Sequence, residues 1–296
     1  ELPITDDIRN KIALFCNVRP ENVIANMTAS NLYEVPLMLE REGLATCVCK
    51  HLELEKIEPK NEKWERMIEH FKTIDNEYKG NSKEKVKIAI VGKYIRLEDS
   101  YLSVVESIKH AAYINEVGVE ISFVDSETVT EQNAKDKLGK FDGIIVPGGF
   151  GNRGIEGKIQ TADSVEFNPD TKNPVIHIME DQKNITKKGG TMRLGAYPCI
   201  LVDGSIARKL YNAEEISERH RHRYEFNNDY KKEMEQRGMT FSGTSPDGNL
   251  VEIVEIKNHP YFIAAQFHPE FKSRPDRPQP LFVGLLKAGK ENKKLI

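Results

Sequence analysis

The sequence predicts an α/β protein built on a doubly wound, mostly parallel sheet. Residues 86–92 (VKIAIVG) read as a buried strand, and apolar residues at helical spacing follow them. Residues 119–126 form a second apolar strand, and residues 141–149 form a third that ends in glycines. Strand, helix, strand and a glycine-terminated strand are typical of a parallel sheet. The active site of such a sheet lies at the carboxyl ends of its strands, where residues 147–151 (PGGFG) fall.

The remaining segments complete the predicted organisation. Residues 11–17 (KIALFCN) are apolar enough for a buried strand, and a charged stretch over residues 50–87 contains an amphipathic helix around Trp64 and Phe71. The cluster at residues 79–82 (KGNS) predicts a domain boundary. Further expected elements are strands at 175–179, 191–201, 250–256 and 261–267, and a helix at 227–237.

Composition narrows the classes of function. The chain has 296 residues, a net charge of −3 and no run of eighteen apolar residues. We therefore expect neither a nucleic-acid partner nor a membrane span. The four cysteines contain no C-x-x-C pair, which argues against a disulfide framework or a zinc site and favours reduced thiols of a cytoplasmic protein.

Three groups of residues suggest chemistry. Gly148 and Gly149 end a buried strand and leave backbone N–H groups open to an oxyanion, although a plain turn has the same pattern. His268 is followed two residues later by Glu270, a spacing that lets a carboxylate orient an imidazole, although a solvated turn histidine would look alike.

The third group is the basic run at residues 218–224 (ERHRHRY). On an extended strand Arg219, Arg221 and Arg223 share one face, which suits a carboxylate ligand or simply a solvated strand. His220 and His222 have no apparent third metal ligand, so the sequence predicts no metal site.

Four motifs taken together resemble one family. They are PGGFGNRGIEGKI, GGTMRLG, ERHRHRYEFN and QFHPEF, in this order, and the chain resembles CTP synthase along essentially its whole length. The resemblance implies a class I glutamine amidotransferase domain at residues 84–296, a helical linker at 59–83, and the end of an α/β amidoligase domain at 1–58. It also implies hydrolysis of glutamine to supply ammonia for the ATP-dependent conversion of UTP to CTP.

The resemblance also assigns roles to individual residues. It makes His268 the general base and Glu270 its orienting acid, and places Gly149 in the oxyanion hole. Arg223 and Glu166 would hold the α-carboxylate and the α-amino group of glutamine.

Other implied roles concern nucleotides and assembly. Phe150 and Arg153 would lie on a lid where GTP, the allosteric activator of the family, is expected to act. Lys11 would contact a nucleotide in the amidoligase remnant. The family uses ATP and Mg²⁺, although no cofactor is expected to bind this piece tightly. The implied partners are glutamine, the rest of the amidoligase domain and further copies in tetramers or filaments.

The nucleophile of the family is absent. Its cysteine lies in a G-x-C-x-G turn, and this sequence has no such turn. The expected helix, strand, elbow and second helix, roughly 30 to 40 residues, would fall between Gln160 and Thr161. Deleting a central strand would expose its neighbours, so we expect a segment of the natural chain to be missing from the sequence at this point.

Two alternatives remain at this stage. A genuine deletion would leave a catalytically inactive scaffold or assembly module. Another class I amidotransferase, such as GMP synthetase, would share the glycine turn and the His-Pro-Glu tripeptide. It would not account for GGTMRLG, ERHRHRYEFN or KIALFCN.

Overall fold

A computed structural model gives the structure of the chain. It describes residues 3–55, 58–80, 83–95, 97–148, 163–164, 170, 174–179 and 192–293. Their contacts divide the chain into two compact units, Glu1–Lys79 and Gly80–Ile296. No described helix combines the length and apolar character that a membrane crossing needs.

The first unit is helical in its described part. Its helices are α1 (Asp6–Cys16), α2 (Val35–Arg41), α3 (Leu44–His51) and α4 (Glu62–Glu77). The α4 helix buries Ile68, Phe71 and Ile74, which confirms the predicted amphipathic helix. Its Trp64 Nε1 donates a hydrogen bond to the Tyr33 carbonyl at 2.8 Å, so α4 is fastened to the segment before α2.

The prediction of a buried strand at residues 11–17 is wrong, because these residues lie in and just after α1. Thr5 caps the helix by accepting a hydrogen bond from the Ile8 amide, and Asp6 and Asp7 are favourable at the positive end of its dipole. A short apolar run does not by itself distinguish strand from helix. Ala13 is the residue of this run that is buried, whereas Phe15 is 87% exposed.

The second unit contains the predicted α/β architecture. Its helices are α5 (Leu102–Ile114), α6 (Glu131–Leu138), α7 (Ile206–Tyr211), α8 (Lys231–Gln236) and α9 (Pro280–Lys293). Its strands are β1 (Val86–Gly92), β2 (Val119–Asp125), β3 (Gly143–Ile145), β4 (Asp163–Ser164), β5 (Pro174–Ile178), β6 (Arg193–Leu201), β7 (Glu215–His222), β8 (Tyr224–Phe226), β9 (Met239–Thr244), β10 (Val251–Ile256) and β11 (Ile263–Ala265).

The parallel sheet has the order β2-β1-β3 and is covered on both faces. Ile88 and Ile90 of β1 pack in a core cluster with α5 and α9 residues, whereas Ala89 and Val91 face a cluster that includes α6 residues. Alternate residues of one strand therefore enter two cores, which explains why the run 86–92 is continuously apolar. The predicted doubly wound sheet is confirmed.

The β3 strand forms one edge of this sheet. On its side away from β1, no strand of the described part of the chain pairs with it. Ile144 is 43% exposed and Val146, one residue beyond β3, is 51% exposed. Parallel sheets normally bury such residues, so this edge has the character of an interior strand with one neighbour lacking.

Antiparallel strands make up the second half. A five-stranded sheet has the order β11-β10-β9-β6-β7, and a three-stranded sheet has the order β4-β5-β8. Cys199, Ile216, Ile253, Phe267 and Leu281 form the core cluster of the larger sheet. The predicted strands of this half are present, with shorter bounds at β11 than expected.

Candidate active site

His268 and Glu270 form a hydrogen-bonded pair directly after the last strand of the larger sheet. The Nδ1 atom of His268 lies 2.9 Å from Glu270 Oε1. A carboxylate only accepts, so Nδ1 carries the proton and Nε2 is left with the lone pair that a general base needs. The sequence predicted this pairing, and the geometry suits an oriented base.

Backbone and side-chain contacts hold this pair in place. The His268 amide donates to the Arg219 carbonyl of β7 at 2.8 Å, which ties the base to a strand. Pro269 begins a 3₁₀ turn over Pro269–Lys272 and fixes the backbone between the two partners. The Ser107 hydroxyl of α5 donates to the Ser103 carbonyl at 2.7 Å and also lies 3.3 Å from the Glu270 carbonyl.

A second α5 side chain extends this support. His110 Nδ1 lies 2.8 Å from Ser273 Oγ, and the Gln279 amide donates to the same oxygen at 3.3 Å. Burial lowers the pKa of His110, so its ring is neutral at neutral pH. Two side chains of α5, Ser107 and His110, thus contact the turn that contains Glu270.

The end of β3 faces the histidine. A Cβ atom placed on Gly148 would lie 3.8 Å from His268 Cε1. The carboxyl end of the parallel sheet and the His–Glu pair therefore meet, as expected for this class of sheet. The predicted residues Gly149, Phe150, Arg153 and Glu166 lie outside the described residues, as does the Gln160–Thr161 junction.

The basic run forms β7 with a strict alternation. Arg219 and Arg221 are exposed, whereas Glu218, His220 and His222 are buried on the opposite face. Arg223 follows the last residue of β7 and precedes β8, and its carbonyl accepts a hydrogen bond from the Met179 amide at 3.0 Å. Arg219 and Arg221 thus share a face as predicted, and Arg223 lies at the junction of two strands.

The buried face of β7 meets an ionic network that the sequence did not predict. Arg193 Nη1 of β6 lies 2.6 Å from Glu252 Oε1 of β10, and His220 Nε2 lies 2.7 Å from Glu252 Oε2. Burial alone would raise the pKa of Glu252, but the contacts with His220 and Arg193 outweigh it and lower the pKa. Glu252 is therefore a buried carboxylate held between the Arg193 guanidinium and the His220 ring.

His220, His222 and Glu252 also have the spacing of a metal site, with ligand atoms within 4.8 Å of one another. The structure thus supplies the third ligand that the sequence did not reveal. However, Arg193 Nη1 lies 2.6 Å from the carboxylate and 3.4 Å from His222 Nε2, so a guanidinium already fills the cation position. We assign no metal to this group.

His222 makes stability dependent on pH. Burial, followed by the charge of His220, lowers the pKa of His222 to about 4, with Arg193 acting in the same direction and Glu252 opposing it. Between pH 7 and pH 5 the unfolded chain binds a proton at this residue that the folded chain does not. The free energy of unfolding should therefore fall by about 2 kcal/mol over this interval through His222. Urea titrations of the wild type and His222→Leu test this, and parallel pH curves would contradict it.

Cys199, the one cysteine of the second unit's sequence, offers no nucleophile to this site. Burial, with a smaller contribution from Glu252, raises the pKa of the Cys199 thiol to about 12, which makes it unreactive. Cys16, Cys47 and Cys49 belong to the first compact unit. Lys11, the predicted nucleotide contact, also lies in that unit, exposed on α1.

Four contributing residues were missed by sequence reasoning: Ser107, His110, Arg193 and Glu252. Each comes from a different part of the chain than the motif it supports, so no local spacing identifies it. Of these four residues, Arg193 is part of a family motif, GGTMRLG, but the motif does not indicate a function for this arginine.

Comparison with known families defines the class of protein. Residues 96–176 and 173–288 match the family model for glutamine amidotransferase class-I, and residues 1–54 match the model for the CTP synthase N-terminus. The described fold and the His–Glu pair at the sheet edge agree with an amidotransferase of this class.

Individual relatives give the particular family. The chain is 48% identical to a CTP synthase of Clostridium kluyveri and 43% identical to one of Bacillus subtilis, in both cases over 98% of this chain and 59% of the relative. The solved glutaminase domain of Trypanosoma brucei CTPS with bound acivicin matches with a TM-score of 0.65 and 34% identity, covering 70% of this chain and 94% of that one. The chain belongs to the CTP synthase family. It spans about three fifths of the length of the curated relatives it matches.

The alignment lengths reveal an internal difference from these relatives. The match to the Clostridium kluyveri protein extends over 324 positions, but 98% of this chain is only about 290 residues. About 34 aligned positions therefore have no counterpart in this chain, which agrees in size with the segment expected at Gln160–Thr161. The amidotransferase model matches in two pieces that overlap at residues 173–176, so its division does not mark the Gln160–Thr161 junction.

Proposed function

We propose that the second unit binds glutamine and activates its carboxamide for hydrolysis, so that a complete enzyme of this family can use the ammonia to make CTP from UTP. The observation that carries the proposal is the His268–Glu270 pair, 2.9 Å apart, beside the glycine end of β3. An oriented imidazole beside a glycine turn whose amides could bind an oxyanion suits acyl transfer.

The chemistry divides among the proposed residues as follows. A cysteine thiol supplied by the segment that this sequence lacks loses its proton to His268 Nε2 and attacks the carboxamide carbon. The Gly149 amide stabilises the oxyanion, and His268 returns the proton to the departing ammonia. Water then hydrolyses the thioester with His268 again as base, which regenerates the thiol and releases glutamate.

Substrate binding is proposed for two charged residues. The guanidinium of Arg223 would pair with the α-carboxylate of glutamine, and Glu166 would accept from its α-amino group. A zwitterion requires opposite charges at its two ends, and arginine suits bidentate carboxylate pairing. Phe150 and Arg153 would form a lid that responds to GTP.

The ATP-dependent step is proposed for the whole enzyme rather than for this chain. In the described part of the first unit no three His, Cys, Asp or Glu residues are spaced for a metal, and we place no Mg²⁺ site there. Lys11 alone would contact a nucleotide there. Tetramers, filaments and a cytoplasmic location are likewise proposals that rest on the family.

Glutamine binding gives a direct test. Isothermal titration with L-glutamine should show saturable binding that weakens by about 10- to 100-fold in Arg223→Ala, because a charge-assisted bidentate pair is lost. Arg221→Ala is the matched control, since Arg221 is an exposed arginine of β7 two residues before Arg223. Equal weakening in both variants would remove Arg223 from the site.

A second candidate function follows from the missing nucleophile. If the natural gene also lacks the segment between Gln160 and Thr161, the chain would serve as a binding or assembly module. Sequencing the gene and measuring the intact mass of the natural protein distinguish the two. A gene that encodes the segment, with an intact mass that includes it, supports the enzyme.

A further inference from the structure

The backbone around Arg223 changes partners within three residues. His222 pairs with Arg193 of β6, whereas Tyr224 pairs with Ile178 of β5. Arg223 therefore lies where one ladder ends and another begins. The direction of its side chain depends on how this junction is held.

The ring of His222 spans the junction. Its Nδ1 lies 3.0 Å from the Tyr224 carbonyl, and its Nε2 lies 3.4 Å from Arg193 Nη1. A carbonyl only accepts and a guanidinium only donates, so the ring is neutral, with its proton on Nδ1. The lowered pKa of His222 is consistent with this neutral state. The His222 side chain thus bridges the residue after Arg223 and a side chain of β6.

Arg193, the β6 residue that His222 contacts, is itself held by side-chain hydrogen bonds. Backbone pairing of β6 with β9 is confined to Ile200 and Leu201, so it does not reach the Arg193 end of β6. There Arg193 is anchored by Glu252 of β10, which also accepts from His220. The side chains of Arg193 and Glu252 are 9% and 0% exposed, respectively, which makes this tie rigid compared with a surface ion pair.

We infer that His222 is a positioning residue for Arg223: it fixes the turn between β7 and β8 so that the Arg223 guanidinium faces the α-carboxylate of an amino-acid substrate. This inference rests on the proposed function for the identity of that ligand. The positioning itself rests on the hydrogen bonds of His222 with Tyr224 and Arg193. Arg193 acts through His222 and does not touch the substrate.

Hydrogen exchange tests the positioning without any ligand. The Met179 amide donates to the Arg223 carbonyl, so its exchange rate reports the stability of the junction. His222→Leu should speed this exchange by about tenfold or more relative to the Ile90 amide in the parallel sheet, which reports global opening. His222→Asn retains a donor close to the Nδ1 position and should remain within about threefold of wild type.

Glutamine affinity is the second readout. The dissociation constant of L-glutamine should rise by about tenfold in His222→Leu and by much less in His222→Asn. Ile253→Val, a buried change elsewhere in the same sheet, controls for loss of stability. Unchanged Met179 exchange and unchanged affinity in His222→Leu, with Arg223→Ala impaired, would overturn the inference. Absence of glutamine binding by the wild type would instead reject the proposed function, and Met179 exchange would still decide whether His222 holds the junction.

Discussion

Ammonia release from glutamine should rise from background by a factor on the order of 10⁴ or more when the missing segment is restored. The variant is a chimera that carries the corresponding residues of the Clostridium kluyveri relative between Gln160 and Thr161. The reason is chemical: His268 and Glu270 can move a proton, but this sequence has no thiol at the site to attack the carboxamide. An oriented base without its nucleophile gives little acceleration.

The same insertion should change the parallel sheet. A strand added beside β3 would cover Ile144 and Val146, which are 43% and 51% exposed in the described structure. Burying two such side chains contributes roughly 1 to 2 kcal/mol each, since both are already partly covered. The chimera should therefore resist urea better than the original chain.

Two variants make the activity result decisive. In the chimera, His268→Ala should lower ammonia release by about 10²- to 10⁴-fold, which is the usual contribution of a general base. His259→Ala is a matched control, because His259 is an exposed histidine after β10. An active original chain, or a chimera whose rate does not respond to His268→Ala, would contradict the proposed mechanism.

Removal of Glu252 should be the most damaging single change to stability. Glu252→Ala leaves the buried Arg193 guanidinium and the His220 ring without the carboxylate that contacts both. We expect the free energy of unfolding to fall by about 3–5 kcal/mol, the usual result of breaking a buried ion pair on one side. Urea unfolding at pH 7 measures it.

Two further variants distinguish the loss of a buried ionic partner from the loss of a negative charge in general. Glu233→Ala removes an exposed ion pair with Arg237 and should cost less than about 0.5 kcal/mol. The triple variant Arg193→Met, His220→Leu, Glu252→Leu should be more stable than Glu252→Ala, because it leaves no unpaired buried charge. A Glu252→Ala cost as small as that of Glu233→Ala would show that the network does not stabilise the fold.

The sequence was informative where local pattern and tertiary environment agree. The continuous apolar run 86–92 predicted a strand buried on both faces, and Ile88 and Ala89 do enter different cores. The run 11–17 was equally apolar but is helical, because the Thr5 cap and the acidic first turn decide its structure. A propensity-based interpretation of an apolar run cannot weigh such caps against burial.

The contacts of the site that could be predicted from the sequence are those between residues close together in the chain. His268 and Glu270 are two residues apart, so their hydrogen bond follows from local spacing. Ser107 and Glu270 are 163 positions apart, and Arg193 and Glu252 are 59 apart, so only the fold brings them together. The alternation of Arg219 and Arg221 with the buried histidines was visible as a pattern, but the buried partner Glu252 was not.

The hydrogen bond from the His268 amide to the Arg219 carbonyl ties the base to β7, and Arg223 lies one residue beyond the end of that strand. Arg223 follows Arg219 by four residues, which on an extended strand is about 13 Å. A strand is nearly inextensible, so β7 and the turn after His222 together set the spacing between the base and the proposed carboxylate anchor. An amino acid one methylene shorter than glutamine would reach the anchor with its carboxamide displaced from the base. The length of the substrate would then be selected by the backbone of β7 itself rather than by the walls of a pocket.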